Sequence, residues 1–362
     1  MDVAGRLPAN FVNESALRRD PDPSALDARS GGNPAPAVRS GQVGAPVSNC
    51  FCLPKELPSK DEAAANVREL EASAPDPADY PGGKFSLQYW IDTAAHGWEL
   101  HCARQLLLEA YKQEAAEGSA TTEAIFEAAE REGVAVVVLG DEEYAERFPG
   151  TGGVTVGDTV YLPVSALESG EGVLEHELMH GLLNSRPEIF DPDVPLEQQV
   201  EAVRELFESI GLDPDDGERL VRAAEGMPSV DADHVQTYVL SVIIHREKNG
   251  LPPLTEAQRD SLYEDAAARE TALGVLRYKF EINGEEVSLR DLGQGPQFLA
   301  KLMTMSPEDL ETLAAEVEAR WNETSLADEY PLTSDTPRER LQEMQKILMK
   351  LQDEGALEQY WN

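Results

Sequence analysis

The stretch His176-Glu177-Leu178-Met179-His180 sets two histidines four residues apart, with a glutamate directly after the first. Histidine is scarce in this chain, six in 362 residues. At this composition the pattern arises by chance in about one chain in a hundred. On a helix, positions four apart share a face, so both imidazoles would present a nitrogen to one cation. Glu177 would be rotated by about 100° from His176, beside the ion rather than on it. Zinc suits such a pair and lowers the pKa of water towards ~7, where a neighbouring carboxylate can take the proton. These residues therefore point to Zn2+ as cofactor, His176 and His180 as ligands, and Glu177 as a general base for hydrolysis.

Catalytic zinc takes a third protein ligand and keeps one position open. A glycine and a third histidine three and six residues after His180 would complete one known pattern, but Leu183 and Arg186 stand there. The segment VPLEQQVEAVRELFESIG, residues 194–211, predicts a second helix, with Asp193 as its cap and Pro195 in its first turn. Val200, Val203, Leu206, Phe207 and Ile210 form its apolar face. Glu201 lies about 140° from the centre of that face and is the first candidate for the third ligand. Glu188, Asp191, Asp193 and Glu197 are the alternatives.

HELMHGL followed by EAVRELF resembles the thermolysin-type gluzincins, which pair HExxH with a glutamate in a Glu-Ala-x-x-Asp context. The likeness spans about 35 residues and implies membership of the zincin superfamily. It implies zinc ligation by His176, His180 and Glu201, with Glu177 as base. Glu205 stands where that family has an aspartate that orients the first histidine. In zincins an edge strand just before the active helix holds extended peptide by backbone hydrogen bonds, and the hairpin VTVGDTVYLPV (154–164) is placed to supply it. His234 and Tyr238, one turn apart on a predicted helix, are candidate donors to the oxyanion of peptide hydrolysis. His96 and His101, five apart, do not share a helical face and read as structural.

Residues 1–62 are rich in Pro, Ala, Gly and Ser, lack an apolar period and are expected to be disordered. Cys50 and Cys52 fall there, and with Cys102 they make no disulfide framework. Residues 63–362 are expected to form a zincin-like metallopeptidase domain. Its order is helices at 60–74, 85–116 and 121–132, a strand at 134–140, the hairpin, the HExxH helix, and then mostly helix. The later helices fall at 195–210, 215–225, 231–248, 255–275, 306–321 and 336–353, with one hairpin turning at Asn283-Gly284. The expected class is α+β, a small sheet with an edge hairpin on the active-site helix and a mainly helical second half.

No stretch approaches a membrane span, and no basic-then-apolar leader is readable, so the expected location is cytoplasmic or reached by a non-Sec route. The net charge is −38, and the first 60 residues, with six acidic and seven basic side chains, contribute none of it. Direct nucleic-acid binding is therefore not expected; a protein or peptide substrate, with basic segments favoured, is. Composition also resembles that of effector zinc proteases that bacteria inject into host cells. The rival expectation is a non-catalytic acidic binding protein whose zinc site is structural or vestigial.

Overall fold

The structure is a computed structural model and describes residues 54, 56–170, 172–227, 229–282, 285–293, 295–324, 326–352 and 358–361. Cys50, Cys52 and nearly all of the segment expected to be disordered lie outside the described residues. The chain divides into two compact units, Met1–Glu117 with Ile125–Leu182, and Gly118–Ala124 with Leu183–Asn362.

In the first unit, α1 (Lys60–Ala72) starts on a capping box between Ser59 and Glu62. Val67 and Ala64 bury its inner face against α2 (Leu87–Ala116). Arg68 on α1 reaches Glu168 at 2.7 Å and Asp141 at 2.8 Å, tying three segments together. Helix α3 (Ala120–Glu132) leads through Gly133 into β1 (Ala135–Leu139), and α4 (Asp141–Arg147) follows at once. Strand β2 (Val154–Val156) then turns back into β3 (Thr159–Pro163). Gly157 makes this turn at φ 62°, a backbone conformation that glycine takes without steric cost. The strand order is β1-β3-β2, with β1 parallel and β2 antiparallel to β3. Val160 and Leu162 of β3 are fully buried, as period-two alternation requires. Helix α5 (Val164–Ser169) and helix α6 (Val173–Asn184), which carries HExxH, complete this part.

In the second unit, α7 (Leu196–Ser209) packs on α8 (Pro214–Ala223) through Val203, Leu206 and Phe207. A Cβ on Gly217 of α8 would stand 3.2 Å from the Val203 carbonyl oxygen, so glycine lets these two helices approach. Next come α9 (Ser229–Lys248) and α10 (Glu256–Arg277), whose start is a capping box between Thr255 and Gln258. Strands β4 (Lys279–Ile282) and β5 (Glu285–Ser288) pair antiparallel with Ile282 opposite Glu285, as a two-residue turn requires. The turn pair Asn283-Gly284 itself lies outside the described residues. Helices α11 (Gly295–Thr304), α12 (Pro307–Asn322), α13 (Leu326–Glu329), α14 (Pro337–Gln352) and α15 (Glu358–Trp361) follow. Their core is built on Trp321, Phe280, Phe298, Val317, Met344 and Leu348.

The class is α+β, with most of the chain helical. The predicted long helices and all five strands stand within a few residues of their expected positions. Periodicity did not predict α4, α5, α13 and α15, which have 7, 6, 4 and 4 residues, too few turns for a face to repeat, nor the 10-residue α11.

Candidate metal centre

Every residue of α6 from Val173 to Leu183 is buried, so the helix is surrounded by protein rather than lying on a surface. Leu174, Leu178, Met179 and Leu182 are each at most 1% exposed. Each contributes about 1.5–3 kcal/mol by leaving water. The same helix also buries four ionisable groups, Glu175, His176, Glu177 and His180, at 2%, 8%, 1% and 0% exposure. Such groups are costly to desolvate unless something binds them. The helix is stable because of its leucines; its histidines and glutamates need another reason.

The two imidazoles converge, with His176 Nε2 and His180 Nε2 3.0 Å apart. Two nitrogens held about 2.0–2.1 Å from one tetrahedral ion stand roughly 3.3 Å apart, so the pair fits a shared zinc. Glu177 faces the sheet. Thr155 Oγ1 on β2 lies 2.6 Å from Glu177 Oε2 and 2.8 Å from the Glu177 carbonyl oxygen. The hydroxyl has one proton to give, and the carboxylate is the closer and stronger acceptor. The hairpin therefore also orients the glutamate, a role that the strand pattern did not reveal. Strand β2 lies at one edge of the three-stranded sheet, and β3, which carries TVYLP, lies at its centre.

Gly153, just before β2, shapes the same spot. A Cβ built there would stand 2.8 Å from Glu177 Cγ and from Val173 Cγ1, and 2.9 Å from Leu162 Cδ2. All three contacts are closer than real Cβ atoms tolerate. Gly153→Ala is expected to cost about 1–3 kcal/mol by overpacking, read as a lowered midpoint in urea with an unchanged slope. A midpoint equal to that of the wild type would show that Glu177 is not confined there.

Behind the histidines, Tyr111 on α2 donates a hydrogen bond to Glu175 Oε2 at 2.7 Å. Burial and the Glu175 carboxylate raise the Tyr111 phenol well above its usual range, so it stays a donor. The Gly172 backbone also bonds the phenol oxygen, which fixes the first turn of α6. Nothing in the sequence spacing signals a pairing between residues 64 positions apart.

His234, on α9, is buried at 7% exposure, and its Nδ1 lies 3.2 Å from Asp233 Oδ1. A carboxylate beside one ring nitrogen is the usual device for directing the other at a metal. Tyr238 follows one turn later, with the Arg269 guanidinium 3.9 Å over its ring. Burial and the Glu270 carboxylate hold the Tyr238 phenol above its usual range, so it remains protonated. Burial and Glu270 also push Asp231 up to about 6.

Glu201 lies on the exposed side of α7, opposite the buried Val203, Leu206 and Phe207, as its angular position predicted. With Glu197, Glu205 and Glu208 it borders an open depression beside Arg204, which bonds Asp215 and Glu218. Glu205 is equally exposed. Of the other histidines, His96 and His101 lie five apart on α2, and His245 stacks on Trp361.

Comparison with known proteins found no match to a family model, a curated protein or a solved structure. The functional reading therefore rests on the residues themselves.

Proposed function

We propose that the protein is a zinc-dependent endopeptidase with a zincin-like fold. The observation that carries this reading is the burial of His176, Glu177 and His180 on one helix, with the imidazole nitrogens converged to 3.0 Å. Two imidazoles and a carboxylate, set in a shell of leucines, are costlier to bury than leucines would be unless a bound group uses them.

The third ligand in this reading is His234. His234 is buried, and a carboxylate oxygen of Asp233 lies 3.2 Å from its Nδ1, a neighbour that metal-ligating histidines commonly have. His234 thereby moves from candidate oxyanion donor to ligand, and Glu201 becomes a solvated surface carboxylate. Three histidines leave one position open, as catalytic zinc sites do. When bound, zinc supplies a Lewis acid that polarises a carbonyl and eases the deprotonation of water.

The chain's own residues do the rest. Glu177, oriented by Thr155, takes a proton from the attacking water and passes it to the leaving amine. Tyr238, held protonated, donates to the oxyanion that forms as the carbonyl is attacked. The open edge of β2, close in sequence to Gly153 and Thr155, accepts the substrate backbone as an added strand.

The net charge of −38 directs this site towards basic, loosely structured protein segments. The test is kcat/KM on a basic and a neutral peptide between about 0.05 and 0.5 M salt, across which the screening length falls from over 10 Å to a few Å. The basic-to-neutral ratio should fall as salt rises, because steering acts through association. A ratio that stays flat would show that the acidic surface does not gather substrate. A chelator should abolish cleavage of both peptides; chelator-resistant cleavage would contradict the metal-dependent reading.

A further inference from the structure

The first half of α2 exposes large apolar side chains that a water-facing helix does not need. On the helix Leu87 is 77% exposed, Trp90 60%, Ile91 52% and Trp98 59%, and Phe85, just before it, is 86% exposed. Leu87, Ile91, Ala94 and Trp98 recur at spacings of four, three and four, so they form one stripe along the helix, and Trp90 and Ala95 flank it. At about 200 Å² for each large side chain, the four on the helix expose roughly 500 Å² of apolar surface. That is at the upper end of the largest patch on an ordinary monomer and well over half of the ~800 Å² that each partner buries in a stable complex.

Two further features point to what covers it. Between Lys84 and Trp98 the formally charged residues are Lys84 and Asp92, so this face is neutral in a chain of net charge −38. Two copies would repel one another least here. The stripe is also complementary to itself when reversed. A two-fold axis between Asp92 and Thr93 sets Leu87 opposite Trp98, Trp90 opposite Ala95, and Ile91 opposite Ala94. The two central pairs then set a large side chain against a small one, as interdigitation requires, and Leu87 meets Trp98 at each end. A parallel pairing would instead stack Trp90 on Trp90 and leave Ala94 facing Ala94.

We infer that the protein is a homodimer in which the first half of α2 pairs antiparallel with its counterpart in a second copy. An anionic bilayer would be repelled by the protein's charge, and a fluid surface has no use for the alternation of large and small residues.

Sedimentation velocity on the full chain, from about 1 to 50 μM, tests this. The wild type should dimerise, and more tightly at 0.5 M than at about 0.05 M salt, because screening relieves the repulsion between copies. Trp90→Glu combined with Ile91→Glu should weaken the dimer by at least about 30-fold with unchanged circular dichroism, since both side chains face water within one chain, and the melting temperature should lose its dependence on concentration. A wild-type monomer throughout the range would overturn the inference, as would a dimer that the double substitution leaves intact. So would vesicle binding by a chain that stays monomeric.

Register is read by disulfide formation after the native cysteines are replaced by serine. Ala94→Cys should cross-link, its partner lying about 4.5 Å along the axis, and Leu87→Cys should not, at about 16 Å. Cross-linking at both positions would show a parallel pair and overturn the antiparallel register. Failure at both would overturn the pairing.

Discussion

Glu177→Ala is expected to keep its zinc and to lose peptide cleavage by at least about 10³-fold. General-base catalysis contributes about 10²–10⁴ in rate, and the proposed base is also the side chain that Thr155 holds in place. His176→Ala should lose both metal and activity, because a first ligand is gone. The contrast between the two variants is the informative quantity. A Glu177→Ala protein that cleaves peptide at the wild-type rate would remove Glu177 from the chemistry, whatever its zinc content. One that loses its zinc along with its activity would make Glu177 a structural support of the site.

Tyr111→Phe should destabilise the protein by about 3 kcal/mol, the largest stability effect expected from removing one atom. The hydroxyl bonds a carboxylate that is 2% exposed and whose Oε1 already has no partner. A hydrogen bond to a charged group is worth about 1.5–3 kcal/mol, and a buried charge left without a donor costs more. In a unit of this size the melting temperature should fall by roughly 6–12 °C. Glu175→Gln in the Tyr111→Phe background should recover part of the loss, because a neutral amide is cheaper to bury than an unpaired carboxylate. Full stability in Tyr111→Phe would show that Glu175 does not rely on this bond. Equal losses in the single and double variants would show that charge is not the cause.

Much of the architecture is legible in the chain because the signals are local. The period-two run VTVGDTVYLPV with Gly157 at its centre specifies β2, β3 and their turn without reference to anything distant. The apolar face of α7 likewise fixes that Glu201 points to solvent. The convergence of His176 and His180 follows from helical geometry alone. What escapes is long-range. Thr155 to Glu177 spans 22 residues and Tyr111 to Glu175 spans 64, and no periodicity encodes either. The choice of third ligand is illegible for the same reason. Spacing favours Glu201, 21 residues after His180, whereas His234, 54 residues on and proposed here instead, is marked by burial and by Asp233 beside it. The close approach at Gly153 is equally invisible, since in sequence it is one glycine among 27.

The zinc content of purified protein tests the central claim most directly. Elemental mass spectrometry should be run after zinc reconstitution on the wild type, His180→Ala, His234→Ala and Glu201→Ala. The wild type and Glu201→Ala should hold about one zinc per chain, and both histidine variants should hold close to none. A wild-type chain that stays metal-free would contradict the account, and so would a Glu201→Ala protein that loses the ion while His234→Ala retains it.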